Sequence, residues 1–471
     1  MRERVHVANR ASSVGICIAG HVIFRSMKVF RSRRVVTAQG IRPATVHVHG
    51  EVIEAIADYD AMPAGYEHID VGNAVLMPGV VDTHVHVNEP GRTEWEGFRT
   101  ATRAAASGGV TTLVDMPLNS IPPTTTAEAL RKKKQEAAGQ CLIDVGFWGG
   151  VVPGNVRELE GLVREGARGC KAFMCFSGVD EFPGVLEEDL QPAMMELRRL
   201  NRPLLVHAEV EGPIDEVAAH VEAMDPRSYL TYLASRPPAA EEEAIKLVAR
   251  LCRETRARTH IVHHSAASAL PLIRHARAEG LPFTAETCPH YLHFAAEDIR
   301  AGATAFKCAP PIRERSNREL LWNALGEGVL ELVASDHSPC TPALKKQELG
   351  DFMKAWGGIS GLQLGLSVTW TGASARGYSL ERVVKWMCEA PARLAGLELK
   401  KGHLAKGYDA DLVVFEPEAS FQVDLERIEH KHKLTPYADA GLKGVVTSTY
   451  VRGQRVFHLG EHARELKGQF L

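Results

Sequence analysis

The sequence has no charge surplus of either sign. Its 471 residues carry 55 Lys and Arg against 58 Asp and Glu, a net charge of -3. A nucleic-acid partner needs a basic footprint on some domain, so none is expected. There is no run of 18 or more apolar residues, which excludes a membrane-spanning helix and hence a membrane partner of that kind. The nine cysteines, at 17, 141, 170, 175, 252, 288, 308, 340 and 388, form no CxxC pair. An odd count at wide spacings fits neither a disulfide framework nor a zinc finger, and points to reduced thiols in a cytoplasmic chain. No GxGxxG or GxxxxGK[ST] loop cradles a phosphate. The bulk is ordinary: 45% hydrophobic and 24% charged residues supply a core and exclude disorder. The length exceeds one compact core, so it implies two domains or a large barrel with an addition.

The texture changes three times along the chain. Residues 1–26 place Arg2, Arg4 and Arg10 before a short apolar stretch broken by His21. They read as a tail or alternative-start extension, with a targeting segment as the other reading. Residues 27–78 read as short strands between turns. From 79 to 396 strands alternate with helices. Strands are expected at 110–116, 143–149, 170–176, 203–208, 259–264, 283–287, 304–308 and 330–335. Helices are expected at 127–138, 156–165, 186–200, 241–254, 270–279, 361–371 and 380–395. That alternation predicts the α/β class, specifically a (β/α)8 TIM-like barrel. Residues 397–471 return to strands. They are expected to join 27–78 in a small composite β-sandwich domain.

Active sites of such barrels lie at the C-terminal ends of the strands, and metal-competent side chains gather there. His84 and His86 stand two apart on one strand, so both face the same way. His207, the pair His263-His264, and Asp336 each end a further apolar strand. Any one of these could be a core histidine or a loop carboxylate. Four strands ending in ligand-type side chains point instead to a divalent metal. Lys171 lies in an otherwise apolar strand, Cys170 to Met174. It is either a snorkelling lysine or an amine kept neutral by burial. A neutral amine can capture carbon dioxide, and the resulting carbamate offers one oxygen to each of two metals.

The order HxH, Lys, His, His, Asp resembles the cyclic amidohydrolases of the amidohydrolase superfamily. The motifs are Asp82-Thr83-His84-Val85-His86, Lys171-Ala172-Phe173-Met174, Glu286-Thr287-Cys288-Pro289-His290-Tyr291 and Ser335-Asp336-His337-Ser338-Pro339-Cys340. The resemblance covers residue 27 to the C-terminus and is strongest to the allantoinase branch. It implies that His84 and His86 bind the first of two divalent metals, most naturally zinc. Carboxylated Lys171 would bridge, His207 and His263 would hold the second metal, and Asp336 would join the first metal and carry the catalytic proton. A hydroxide between the metals would open the hydantoin ring of allantoin, a small cyclic ureide. Asn88 and main-chain groups near Ala309 and Trp356 would hold that substrate. A homotetramer is implied as well. Asn88 replaces the arginine with which dihydroorotases grip a carboxylate, and a neutral amide suits an uncharged ring. Phe176 fills the region where dihydropyrimidinases place a tyrosine. Hydantoinase or dihydropyrimidinase activity is the alternative. A non-enzymatic binding relative is the remote one, because such proteins lack ligand positions and all six are present here.

Overall fold

Two six-residue runs, Val80–Val85 and Val110–Asp115, are buried at every position. Strands covered on both faces belong to a parallel sheet wrapped by helices. A computed structural model describes residues 27–471. The expectations for residues 1–26 lie outside the described residues.

The barrel strands are β1 (Val80–Val85), β2 (Val110–Asp115), β3 (Asp144–Phe147, resumed at Gly149–Gly150), β4 (Cys170–Phe173), β5 (Leu204–His207), β6 (Thr259–Ile261), β7 (Phe283–Thr287) and β8 (Leu332–Val333). Each pairs in parallel with the next. The ring closes where Val85 bridges His337, and His86 N donates to His337 O at 2.8 Å. Strand β3 breaks at Trp148, so its first half pairs with β2 and its second with β4. A Cβ at Gly150 would stand 2.5 Å from the Phe182 ring, so this approach requires glycine.

The covering helices follow their apolar spacing. Pro238–Thr255 buries Ala240, Ala244, Ile245, Val248, Leu251 and Cys252, a stripe of threes and fours. Ala127–Ala137 starts at Thr126, whose side chain accepts from Ala129 N. The expected strand at 304–308 is a correction. Thr304–Phe306 is a 3-10 turn, with Lys307 N donating back to Thr304 O. Strand β7 already pairs with β8, so no ladder edge is left for this segment.

A second sheet has nine strands. Five come from Met27–Thr37, Gly40–His49, Val52–Ala57, Glu67–Asp70 and Val75–Pro78. Four come from Leu412–Gln422, Gly441–Val451, Gln454–His458 and Glu461–His462. The two ends of the chain meet where Val75–Pro78 pairs antiparallel with the start of Leu412–Gln422. Val75–Pro78 passes through Gly79 directly into β1, which ties the sheet to the barrel. Buried charges lock the same junction. Lys401 Nζ lies 2.6 Å from Asp144, 2.7 Å from Asp411 and 2.8 Å from Asp409. Removing Lys401 leaves Asp409 and Asp411 without the lysine that faces them, while Asp144 keeps Arg452. Lys401→Ala is therefore expected to cost about 3–5 kcal/mol of stability. Urea unfolding should show a lower midpoint, and an unchanged midpoint would contradict the account.

Candidate metal centre

The tautomers of His84 and His86 follow from their outer partners. His84 Nδ1 lies 2.5 Å from Glu286 Oε1, and a carboxylate only accepts, so Nδ1 carries the proton. His86 Nδ1 donates to Leu118 O at 2.9 Å. Both Nε2 atoms therefore present lone pairs. They face Asp336 Oδ1 at 3.2 Å and 3.5 Å. His84 Nε2 is buried with no hydrogen-bond partner. Three lone-pair atoms converging with no proton between them repel one another unless a cation joins them, so this set fits a divalent ion.

A second set faces the first. His207 donates its Nε2 proton to Glu209 at 2.7 Å, so Nδ1 is its lone-pair nitrogen. That atom lies 3.0 Å from Nε2 of His263. The His263 ring also approaches the His84 ring, with centroids 5.2 Å apart. Lys171 stands among these groups, and its charge acts on His84, His207 and His263 alike. Its Nζ is buried with no hydrogen-bond partner and lies 4.7 Å over the Phe173 ring.

Burial sets the protonation states. It pushes the His84, His207 and His263 imidazoles below their ordinary value, which favours the neutral, ligating form. It also brings Lys171 down to about 8, against the opposing pull of Asp336 and Glu286. For Asp336 burial acts upward, but His84, His86 and His263 outweigh it and hold the carboxyl well below its usual range. For Glu286 burial again acts upward, and His84 and His260 bring it to about 2.

Backbone strain accompanies the site. His263 has φ 38° and Asp336 φ 44°, both left-handed at non-glycine positions. Each turns its side chain out of the regular strand alternation at the barrel mouth. His264, next to His263, faces away toward Glu241, with Nδ1 3.6 Å from Oε2.

A cavity opens over this cluster. His86, His207, His263 and Asp336 form its floor, with Phe173, Phe176, Ala309, Trp356 and Gly358 among its walls. Ala309 and Trp356 are thus among the residues that line it. Asn88 does not line the cavity. It is fully buried one layer back, donates to Pro339 O at 3.2 Å and accepts from Asn119 Nδ2 at 3.1 Å. Asn119 is the amide that reaches the cavity. Asn119, Glu209, Glu286 and Arg236 are not among the residues expected from the sequence. Glu209 lies two residues past His207, a spacing that offered a signal. Glu286 was inside a motif already noted. Arg236, which clamps Glu209 at 2.9 Å, had no local signal.

Residues 75–456 match the model of the amidohydrolase family. The chain is 51% identical over 444 residues to an allantoinase of Streptomyces avermitilis, covering 94% of this chain and 98% of that one. It is 47% identical to an allantoinase of Arabidopsis thaliana, covering 93% of this chain and 89% of that one. Among solved structures it is similar to the L-hydantoinase (dihydropyrimidinase) of Arthrobacter aurescens. There the TM-score is 0.90 and the identity 32%, over 95% of this chain and 99% of that one.

Proposed function

We propose that this chain, which belongs to the amidohydrolase family, is an allantoinase that opens the hydantoin ring of allantoin by hydrolysis to give allantoate. The observation that carries the reading is the gathering of His84, His86 and Asp336, and of His207 with His263, around a partnerless, buried Lys171, in a chain half identical to an allantoinase. His84, His86 and Asp336 would hold one divalent ion, and His207 with His263 a second. Zinc suits these nitrogen and oxygen donors. Bound there, the ions supply Lewis acidity and water that ionises near neutral pH.

The chain's own residues do the rest. The neutral Lys171 amine forms an N–C bond with carbon dioxide and releases one proton to solvent. Through that carbamate Lys171 would help hold the two ions. Asp336 takes a proton from the attacking water and passes it to the ring nitrogen as the C–N bond breaks. Among the described residues, its contacts with His84, His86 and Ser338 all fall on Oδ1, which leaves Oδ2 for that proton. Asn119 and the main chain around Ala309 and Gly358 orient the ring, and Asn88 positions Asn119. Trp356, Phe173 and Phe176 exclude water. From the family likeness we infer a homotetramer in the cytoplasm. No helix among the described residues is long and apolar enough to cross a membrane.

A rate comparison with metal added tests this reading against its neighbours. Allantoin should exceed hydantoin, dihydrouracil and dihydroorotate in kcat/KM by about tenfold or more. A faster rate on hydantoin or dihydrouracil would move the chain to the hydantoinases. The lysine chemistry has its own pH signature. Only the neutral amine reacts, and its fraction rises as pH passes upward through about 8. At constant dissolved carbon dioxide, metal-free protein should carboxylate about fivefold faster at pH 8 than at pH 7. Carbon-13 NMR of the carbamate reads this directly, and a pH-independent rate would contradict it.

A further inference from the structure

Strand β7 delivers more than Glu286. Two residues on, Cys288 caps the short helix Pro289–His293, and His290 lies in its first turn. A ligand atom of each of Cys288, His290 and Asp336 lies within 4.8 Å of the others. The three residues are 0%, 1% and 5% exposed. His290 Nε2 is fully buried and has no hydrogen-bond partner. Neither Cys288 nor His290 lines the substrate cavity, and the hydrolytic reading uses neither.

The spacing carries information. A tetrahedral ion bound at ~2.0–2.3 Å sets its ligand atoms ~3.3–3.8 Å apart. The trio, whose atoms all lie within 4.8 Å of one another, is compact enough to close on that spacing. A comparable trio, Cys175 with His207 and Glu209, differs in this respect. There His207 and Glu209 are already hydrogen-bonded at 2.7 Å, and Arg236 neutralises Glu209.

The geometry points to a further cation site beside the catalytic centre, built from Cys288, His290 and the shared Asp336, which takes a thiophilic divalent ion such as cadmium or excess zinc and stops hydrolysis. Sulfur makes this corner softer than the nitrogen and oxygen sets around it. As the ion binds, the Cys288 thiol gives its proton to solvent, and the S–H bond is exchanged for a sulfur–metal bond. Asp336, drawn toward that ion, can no longer shuttle the catalytic proton. The inhibition rests on the role proposed for Asp336, whereas the binding does not.

Cadmium titrated onto the zinc-loaded full chain tests both parts. Three quantities are read: cadmium bound per chain, the ultraviolet thiolate-to-cadmium absorption, and allantoin hydrolysis. The unmodified protein should gain the absorption band and lose activity in step. Cys288→Ser should keep its basal rate, lack the band, and need about 10–100-fold more cadmium for equal inhibition. His290→Gln, which keeps the thiol, should weaken cadmium binding over the same range. An equal band in Cys288→Ser, or inhibition of the unmodified protein without a band, overturns the site. If the chain fails to hydrolyse allantoin, the band in the unmodified protein against Cys288→Ser still decides.

Discussion

Lys171→Ala should lose its bound metal and its activity together. The lysine is fully buried, its Nζ has no hydrogen-bond partner, and it stands among His84, His207, His263 and Asp336. A structural lysine in such a place would normally be paired, because an isolated buried charge is costly. Truncation orphans no hydrogen-bond partner, so the fold should persist. What disappears is the group proposed to join the two halves of the site. Metal-ion catalysis contributes several kcal/mol, so kcat/KM should fall by at least about 10³-fold. Metal analysis and circular dichroism on the same sample separate this from unfolding. A variant with native metal content and native rate would remove the bridging role.

Asp336→Asn should fold normally and turn over about 10²–10⁴-fold more slowly, the usual worth of a placed proton carrier. Asparagine is the cleaner replacement here. The residue sits at φ 44°, which asparagine tolerates far better than alanine. The amide keeps the size of the side chain but cannot take the proton. Comparison of kcat with KM gives a second check. Loss of the proton carrier lowers kcat, while a role confined to substrate binding would raise KM alone. A near-normal kcat would remove Asp336 from the chemistry.

The features read most directly from sequence were those fixed by local periodicity. Two histidines at i and i+2 must share a face, and His84 and His86 do converge on Asp336. Of the apolar runs ending in His207, His263 and Asp336, the first stops with its strand, and the other two run two and three residues past the strand ends at Ile261 and Val333. The closing of β1 on β8 and the pairing of Val75–Pro78 with Leu412–Gln422 followed from alternation and from the two strand-rich ends. What escaped were relations between distant residues. The Glu286 carboxylate orients His84 from 202 positions away. Asn88 looked like a substrate contact because of its place after the HxH pair. The left-handed backbone at Asn88, φ 67°, accompanies a side chain that meets Asn119 instead. The segment at 304–308 had strand-like composition but no free edge to pair with, and a strand is defined by its partner.

The central claim is that two divalent ions held by this cluster make the chain an allantoin hydrolase. Metal content and allantoate production, measured on one preparation before chelation, after chelation and after zinc is restored, test it most directly. The account predicts about two ions per chain, loss of activity as they are removed, and recovery as they return. A metal-free protein that hydrolyses allantoin at the full rate would contradict it.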